Sequence, residues 1–313
     1  MKIGAFVPQG WRMDLNNLSP NEEWNTILES AKKIEDYGFE SLWVYDHFHT
    51  VPSPTLQPTY ECWTLMAALS QTTSNIRLGQ MCTCNSYRNP AYLTKVVSNI
   101  DVMSDGRLEF AIGAGWYDQE YKAYGYDYPG DGVRLKMLEE ALLIYIEMTT
   151  KDKATFEGKY YQIKEAINQP KPIQKPYPPL WVCGGGEKVT LKLLARYGDY
   201  GNWDVDHEGF KNKSKILNKH CEDEKRDFNE ITRSLHTNVI IGENTKDLKS
   251  KISKVSEDTS IAESYFYKRP LVGIKDEVFE NLDRFNELGC EYLIAYVADI
   301  TWGNTLEILK ERL

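Results

Sequence analysis

The feature that most constrains this 313-residue chain is a repeated alternation of short apolar runs with longer helical patterns. Eight runs read as strands: Lys2–Pro8, Ser41–Tyr45, Ile76–Met81, Leu108–Ile112, Leu180–Cys183, Tyr200–Trp203, Ser234–Ile241 and Tyr292–Val297. Helical spacing follows each of them. In Pro20–Tyr37 the apolar residues are Trp24, Ile27, Leu28, Ala31 and Ile34, and Gly38 stands in the usual stopping position. The other helical stretches are Tyr60–Thr72, Pro90–Met103, Asp131 to about Met148, Glu187–Tyr197, Glu208–Glu224, Lys246–Ser256, Asp276–Leu288 and Asn304–Leu313. Strands that alternate with helices imply an α/β fold with a parallel sheet, and the count of eight points to a closed (β/α)8 TIM barrel. A doubly wound open sheet satisfies the same alternation. Insertions are expected after strands four, five and seven, with 151–178 irregular. A single domain over 1–313 is expected, since such barrels routinely run past 250 residues.

Composition narrows the class of partner. Lys+Arg 37 against Asp+Glu 46 gives a net charge of -9. An acidic surface repels a phosphate backbone, so no nucleic-acid partner is expected. A small anion in a locally basic pocket is not excluded. No run approaches the roughly 18 apolar residues of a membrane span, so no membrane partner is expected. The N-terminal apolar run is too short for a signal peptide and continues as a strand. The six cysteines are scattered and read as free thiols in a reducing cytoplasm. Cys82 and Cys84 point the same way on an extended segment but lack neighbouring histidines, so no metal site is expected.

Barrel active sites are built at the C-terminal ends of the strands. After strand two come Asp46 and His47, where a carboxylate can tune an imidazole for acid/base work. A hydrogen bond at the barrel mouth with no chemistry is the plainer reading of the same pair. After strand three, Arg88 can pair with a carboxylate or a phosphate, or sit on the surface near a helix start. After strand five, Gly184-Gly185-Gly186 opens towards a helix. Such a loop brings backbone N–H groups close to a phosphate. Glu187 partly opposes an anion there, and a purely structural turn fits the same residues. Gly113 and Gly115 lack the third glycine of a dinucleotide fingerprint. They give a tight exit to a loop of aromatics, Trp116, Tyr117, Tyr121, Tyr124, Tyr126 and Tyr128, which either lines a pocket or packs as a lid.

Taken in order, four stretches resemble the luciferase-like monooxygenase superfamily, most of all its coenzyme F420-dependent oxidoreductases. They are Ser41–Phe48, Asn85–Pro90, Ser104–Trp116 and Pro179–Lys188. The likeness spans nearly the whole chain, with residues 206–270 least distinctive. It implies that Asp46 contacts the head of the cofactor and that His47 gives or takes the substrate's proton. It implies a non-proline cis peptide near Met81-Cys82. It implies that Met81, Cys82, Thr83, Asn85, Arg88 and Cys183 bind the cofactor, and that Gly184, Gly185 and Gly186 match its phosphate site. Trp116 and Tyr117 then border a small-molecule substrate, and a homodimer is implied. Where relatives read Ala-Asp-Gly-Trp-Asn, this chain reads Gly198-Asp199-Tyr200-Gly201-Asn202-Trp203, so nothing is carried over there. The activity implied is hydride transfer between F420 and a small organic substrate. The alternatives are an FMN monooxygenase using reduced flavin and dioxygen, and a non-catalytic flavin-binding protein.

Overall fold

The computed structural model describes residues 1–313. Eight parallel strands form the barrel: β1 (Lys2–Phe6), β2 (Ser41–Val44), β3 (Arg77–Gln80), β4 (Leu108–Gly113), β5 (Leu180–Cys183), β6 (Tyr200–Trp203), β7 (Thr232–Gly242) and β8 (Tyr292–Val297). Each pairs with the next, and β8 pairs back onto β1 with Tyr292 opposite Lys2. That last pairing closes the barrel and excludes the open sheet. The helices are α1 (Pro20–Asp36), α2 (Cys62–Thr72), α3 (Pro90–Met103), α4 (Asp118–Tyr124), α5 (Asp131–Thr150), α6 (Thr190–Tyr197), α7 (His207–Glu224), α8 (Thr245–Thr259), α9 (Glu263–Phe266), α10 (Lys275–Glu287) and α11 (Thr305–Leu309). No helix is long and apolar enough to cross a membrane.

The period of two in each strand divides the core. On β8, Leu293, Ala295 and Val297 point outwards into the large cluster packed under the helices. Tyr292, Ile294 and Tyr296 join a second cluster with Phe6, Trp43, Tyr45, Met81, Ala111 and Trp181, which fills the barrel. Both faces of the strands are buried, which is why they read as unbroken apolar runs.

Four expectations need correction. Residues 151–178 are not wholly irregular: Ala154–Glu157 pairs antiparallel with Gln162–Ala166. Its turn is fastened by the distant Glu140, which accepts the amides of Lys159, Tyr160 and Tyr161 at 2.8, 2.8 and 2.9 Å. This hairpin precedes β5, so the extra chain lies between β4 and β5, and no insertion follows β5. The helix after β5 begins at Thr190 rather than Glu187, because 187–189 forms a turn. Leu271–Ile274 is a further strand. It pairs only with the C-terminal end of β7, which at 11 residues outruns its barrel neighbours.

The barrel floor is closed by large aromatics matched to glycines. Trp43 is fully buried and meets Trp181 edge-on at 4.9 Å. Its Nε1 donates to Ser41 Oγ at 2.6 Å, and that hydroxyl shares a 2.6 Å hydrogen bond with Tyr292. Trp181 Nε1 donates to Glu109, which also pairs with Arg77. Room for the Trp43 ring comes from Gly79 on β3, where a Cβ would lie 2.3 Å from Cζ3. Gly79→Ala is therefore expected to destabilise the protein by about 1–3 kcal/mol through overpacking. The check is a lower urea midpoint with an unchanged slope. The double variant Gly79→Ala with Trp43→Phe should recover part of the loss, since the two sites share one volume.

Candidate active site

The strands end at a cavity of ≈ 540 Å³ on the C-terminal side of the barrel. Its size suits a small molecule or the head of a cofactor. Residues from the loops after β1, β2, β3, β4, β5 and β6, and His236 on β7, form its wall. Of the residues expected from sequence, Asp46, His47, Met81, Cys82, Trp116, Tyr117, Cys183, Gly184 and Gly185 line it.

Asp46 is buried, and its carboxylate is already taken. Arg88 donates to it with both terminal nitrogens, at 2.6 and 2.9 Å, and the Cys84 amide donates at 2.8 Å. Arg88 also reaches Glu61 at 2.6 Å. This bidentate pair locks the loop after β2 to the loop after β3. Arg88 itself does not line this cavity, and neither do Thr83 and Asn85. The cause is strand alternation: Thr83–Cys84 pairs with β4, so Cys84 faces the cavity while its two neighbours turn away. Asn85 donates to the Tyr161 hydroxyl at 3.2 Å.

His47 is buried and stacks on the indole of Trp11, with centroids 4.5 Å apart and planes 5° from parallel. Its Nδ1 lies 2.8 Å from Glu120 Oε2. The same carboxylate accepts the Tyr87 hydroxyl at 2.8 Å and the Phe48 and His49 amides at 2.6 and 3.3 Å. Burial pushes the Glu120 carboxyl up, but the His47 hydrogen bond and charge, the Phe48 amide and the Tyr87 hydroxyl together hold it below its ordinary range. An ionised Glu120 fixes the proton on Nδ1 and leaves Nε2, which has no protein partner, to the cavity. Glu120 was not singled out in the sequence. It lies in α4, inside the aromatic loop, and no local pattern announces a fully buried acid.

The Met81–Cys82 peptide is cis, at the bond the resemblance implied. Burial pushes the Cys84 thiol up to about 12 and the Cys183 thiol well above its ordinary value. Both remain protonated, so neither is poised as a thiolate nucleophile.

The glycine loop after β5 has the makings of an anion cradle. Gly184 adopts φ +117°, a conformation that side chains disfavour. The amides of Gly184, Gly185 and Gly186 have no acceptor within the protein. A Cβ on Gly186 would sit 2.7 Å from Thr190 Oγ1. Lys213 of α7 donates to Gly185 O and to Glu187, both at 2.7 Å. Glu187 is thereby neutralised rather than opposing an anion. Gly186 stands just beyond the cavity wall.

The opposite wall was not read from the sequence. His236 lines it from β7, and its Nδ1 meets Asn202 Oδ1 at 2.9 Å. Asn202 donates to Ser234, which donates to Gly201 O, each at 2.8 Å. Burial, helped by the Arg12 charge, pulls His236 down to about 4, so it is neutral near pH 7. Trp11 and Arg12 complete this side from the loop after β1.

Comparison with known proteins places the chain in a family. The family profile described as luciferase-like monooxygenase matches residues 1–290. The F420-dependent glucose-6-phosphate dehydrogenase of Amycolatopsis mediterranei is 27% identical over 193 residues, which is 61% of this chain and 55% of that protein. Pyrimidine monooxygenase RutA of Stutzerimonas stutzeri is 28% identical over 210 residues, covering 64% and 56%. The matched region thus spans little more than half the length of these curated relatives. Among solved structures, an F420-dependent secondary alcohol dehydrogenase in complex with an F420-acetone adduct superposes with a TM-score of 0.82 at 21% identity, covering 100% of this chain and 98% of that one. The monooxygenase RslO1 from Streptomyces bottropensis superposes with a TM-score of 0.81 at 18% identity over the same shares. These structural likenesses are of fold.

The Glu120 hydrogen bonds set a pH dependence. A carboxyl held below its unfolded value of 4.5 adds stability above that value and loses it as pH falls through the lower folded value. Wild type is therefore expected to exceed Glu120→Gln in stability near neutral pH by about 1–3 kcal/mol. The gap should narrow towards about pH 3. Urea unfolding at both pH values checks this, and a gap that does not change with pH would contradict it.

Proposed function

The chain belongs to the luciferase-like monooxygenase family, and from that premise we propose that it is a coenzyme F420-dependent oxidoreductase acting on a small organic substrate. The observation that carries this reading is the His47–Glu120 pair, which presents a free imidazole Nε2 to the cavity. Interconverting an alcohol and a carbonyl requires a proton on oxygen to move whenever hydride moves on carbon. A bound deazaflavin supplies the centre that gives or takes the hydride. His47 supplies the other half. Neutral, it accepts the hydroxyl proton at Nε2; protonated, it returns it. Glu120 keeps the ring oriented and stabilises the imidazolium, and the Trp11 stack prevents the ring from turning away.

The remaining residues bind. The three glycine amides and Lys213 suit the phosphate of a nucleotide-like tail. Met81, Cys82 and Cys183 offer an uncharged, polarisable surface for a flat ring. Trp116 is 60% exposed and stands with the buried Tyr117 at the entrance, where the two border the substrate and limit water. Asp46 acts through Arg88 and the Cys84 amide to hold two of these loops in register.

A second reading is an FMN-dependent monooxygenase. The phosphate cradle would serve FMN equally well, and a pyrimidine monooxygenase is as similar in sequence as the F420-dependent relative. A protein that only stores flavin would have no use for an imidazole oriented by a buried carboxylate in the cavity.

Titrating the protein separately with F420 and with FMN is the deciding test. Tight binding of F420 with no oxygen uptake supports the first reading. Oxygen consumption with reduced FMN supports the second, and binding of neither overturns both. With the cofactor that binds, His47→Ala should lower kcat by about 10²–10⁴-fold while leaving cofactor affinity within a few-fold.

A further inference from the structure

The His47 pair and the glycine cradle occupy the β2–β5 side of the cavity, and in the loop after β1 they use only the face of Trp11, leaving its Nε1 and Arg12 without a task. β1 and β5 stand four strands apart in either direction around the closed sheet. The loop bearing Trp11 and Arg12 is therefore across the barrel mouth from the Gly184–Gly186 loop.

This wall is rich in donors and short of acceptors. Arg12 lines the cavity, yet none of its nitrogens has a hydrogen-bond partner and no carboxylate lies within 4.0 Å of it. Its Nε is buried without an acceptor, and so is Trp11 Nε1. The carboxylates that share the cavity are already paired, Asp46 with Arg88 and Asp204 with Arg269. His236 is neutral and offers no charge of either sign. The Arg12 guanidinium lies over the Trp11 indole, 4.4 Å from its centre, but that contact satisfies none of its N–H groups. Unpaired donors withdrawn from water are costly unless a ligand brings the acceptors.

We propose that Arg12 and Trp11 form a recognition site for an anionic head group of the substrate, a carboxylate or a phosphate. The proposal rests on the redox reading of the cavity and adds the class of molecule that enters it. A guanidinium fork matches both oxyanions with paired N–H donors. The His47 ring stacks on the same indole that carries Arg12, so the reacting carbon and the anion are separated by little more than one aromatic ring and its contacts. The substrate is a short anion with its oxidisable or reducible carbon a few bonds from the charge. The Gly184–Gly186 loop, which would hold a cofactor phosphate, lies across the cavity, so the two charges would not compete for one site.

The test is calorimetric titration with three probes of similar shape: benzoate, phenyl phosphate and benzyl alcohol. It is run on the protein alone and again on the protein loaded with whichever of F420 or FMN it binds. Wild type should bind at least one of the anions about tenfold or more tightly than benzyl alcohol, with and without cofactor. The tighter of the two identifies the head group. Arg12→Gln should abolish that preference and leave benzyl alcohol unchanged, while Arg12→Lys should retain part of it. No preference in wild type, or a preference that survives in Arg12→Gln, overturns the proposal. So does a loss of cofactor affinity in Arg12→Gln, which would assign Arg12 to the cofactor instead. If wild type binds neither cofactor, the redox reading fails, but the probe titrations on the protein alone still decide whether an anion site exists.

Discussion

An isolated carboxylate buried as completely as Glu120 would normally give up its charge, because leaving water costs an ion far more than it costs a neutral acid. Glu120 keeps its charge because an imidazole, a phenol and two backbone amides converge on its two oxygens. These donors come from different parts of the chain. His47, Phe48 and His49 follow β2, Tyr87 precedes α3, and the carboxylate belongs to α4. One acid thus ties together the segments that follow β2, β3 and β4. The same bonds fix the tautomer of His47 and keep the aromatic loop folded over the cavity. Without them the mouth of the barrel would lack both its cover and its oriented base.

A second tie works beside the first. Asp46 joins the loop after β2 to the loop after β3 through Arg88, which Glu61 holds from behind. Adjacent residues in the sequence, Asp46 and His47, therefore enter separate networks, one structural and one facing the cavity. The pairing pattern also decides the electrostatics of the site. Each acid at or behind the cavity wall has its own cation or set of donors, so little negative charge is left free there. The neutral imidazole of His236 continues this pattern, and Arg12 is the cation left over.

The sequence conveyed the barrel well because its signal is simple and local. A strand buried on both faces must be apolar throughout, and a helix that covers it must show its own period. What escaped was non-local. The 154–166 hairpin depends on Glu140, some twenty residues away, to satisfy its turn. Leu271–Ile274 becomes a strand only because β7 runs long. The cavity residues after β2, β4 and β5 were legible because strand ends mark the active face of such barrels. Asp46 and His47 were found this way, and the resemblance located the Met81–Cys82 bond. That Cys82 and Cys84 line the cavity while Thr83 and Asn85 do not was not legible, because it depends on how the extended segment pairs with β4. Glu120 gave no sign, since an acid among tyrosines looks like any surface helix. Trp11, Arg12 and His236 show their purpose only when β1 and β7 are seen flanking β8.

The cavity itself follows from a gradient of side-chain size along the barrel axis. At the floor, Trp43, Trp181 and Tyr292 fill the interior so completely that Gly4 and Gly79 must give up their side chains to admit them. Nearer the mouth, the interior positions on one side of the barrel become small, Ala111 and Gly113 on β4, Cys82 beyond β3 and Cys183 on β5, whereas Tyr45 after β2 and Tyr296 on β8 keep the other side filled. Glycine at 79 makes room for a neighbouring ring, and glycine at 113 makes room for the Cys82 thiol in the cavity wall. A Cβ there would press on Cys82 Sγ at 2.7 Å, so even the smallest added group would disturb the cavity wall. Small residues on the β3–β5 side thus open a cup above the packed floor. The two networks around Glu120 and Asp46 then keep its rim in shape, and the unpaired donors on the far wall determine which molecules the cup is suited to hold.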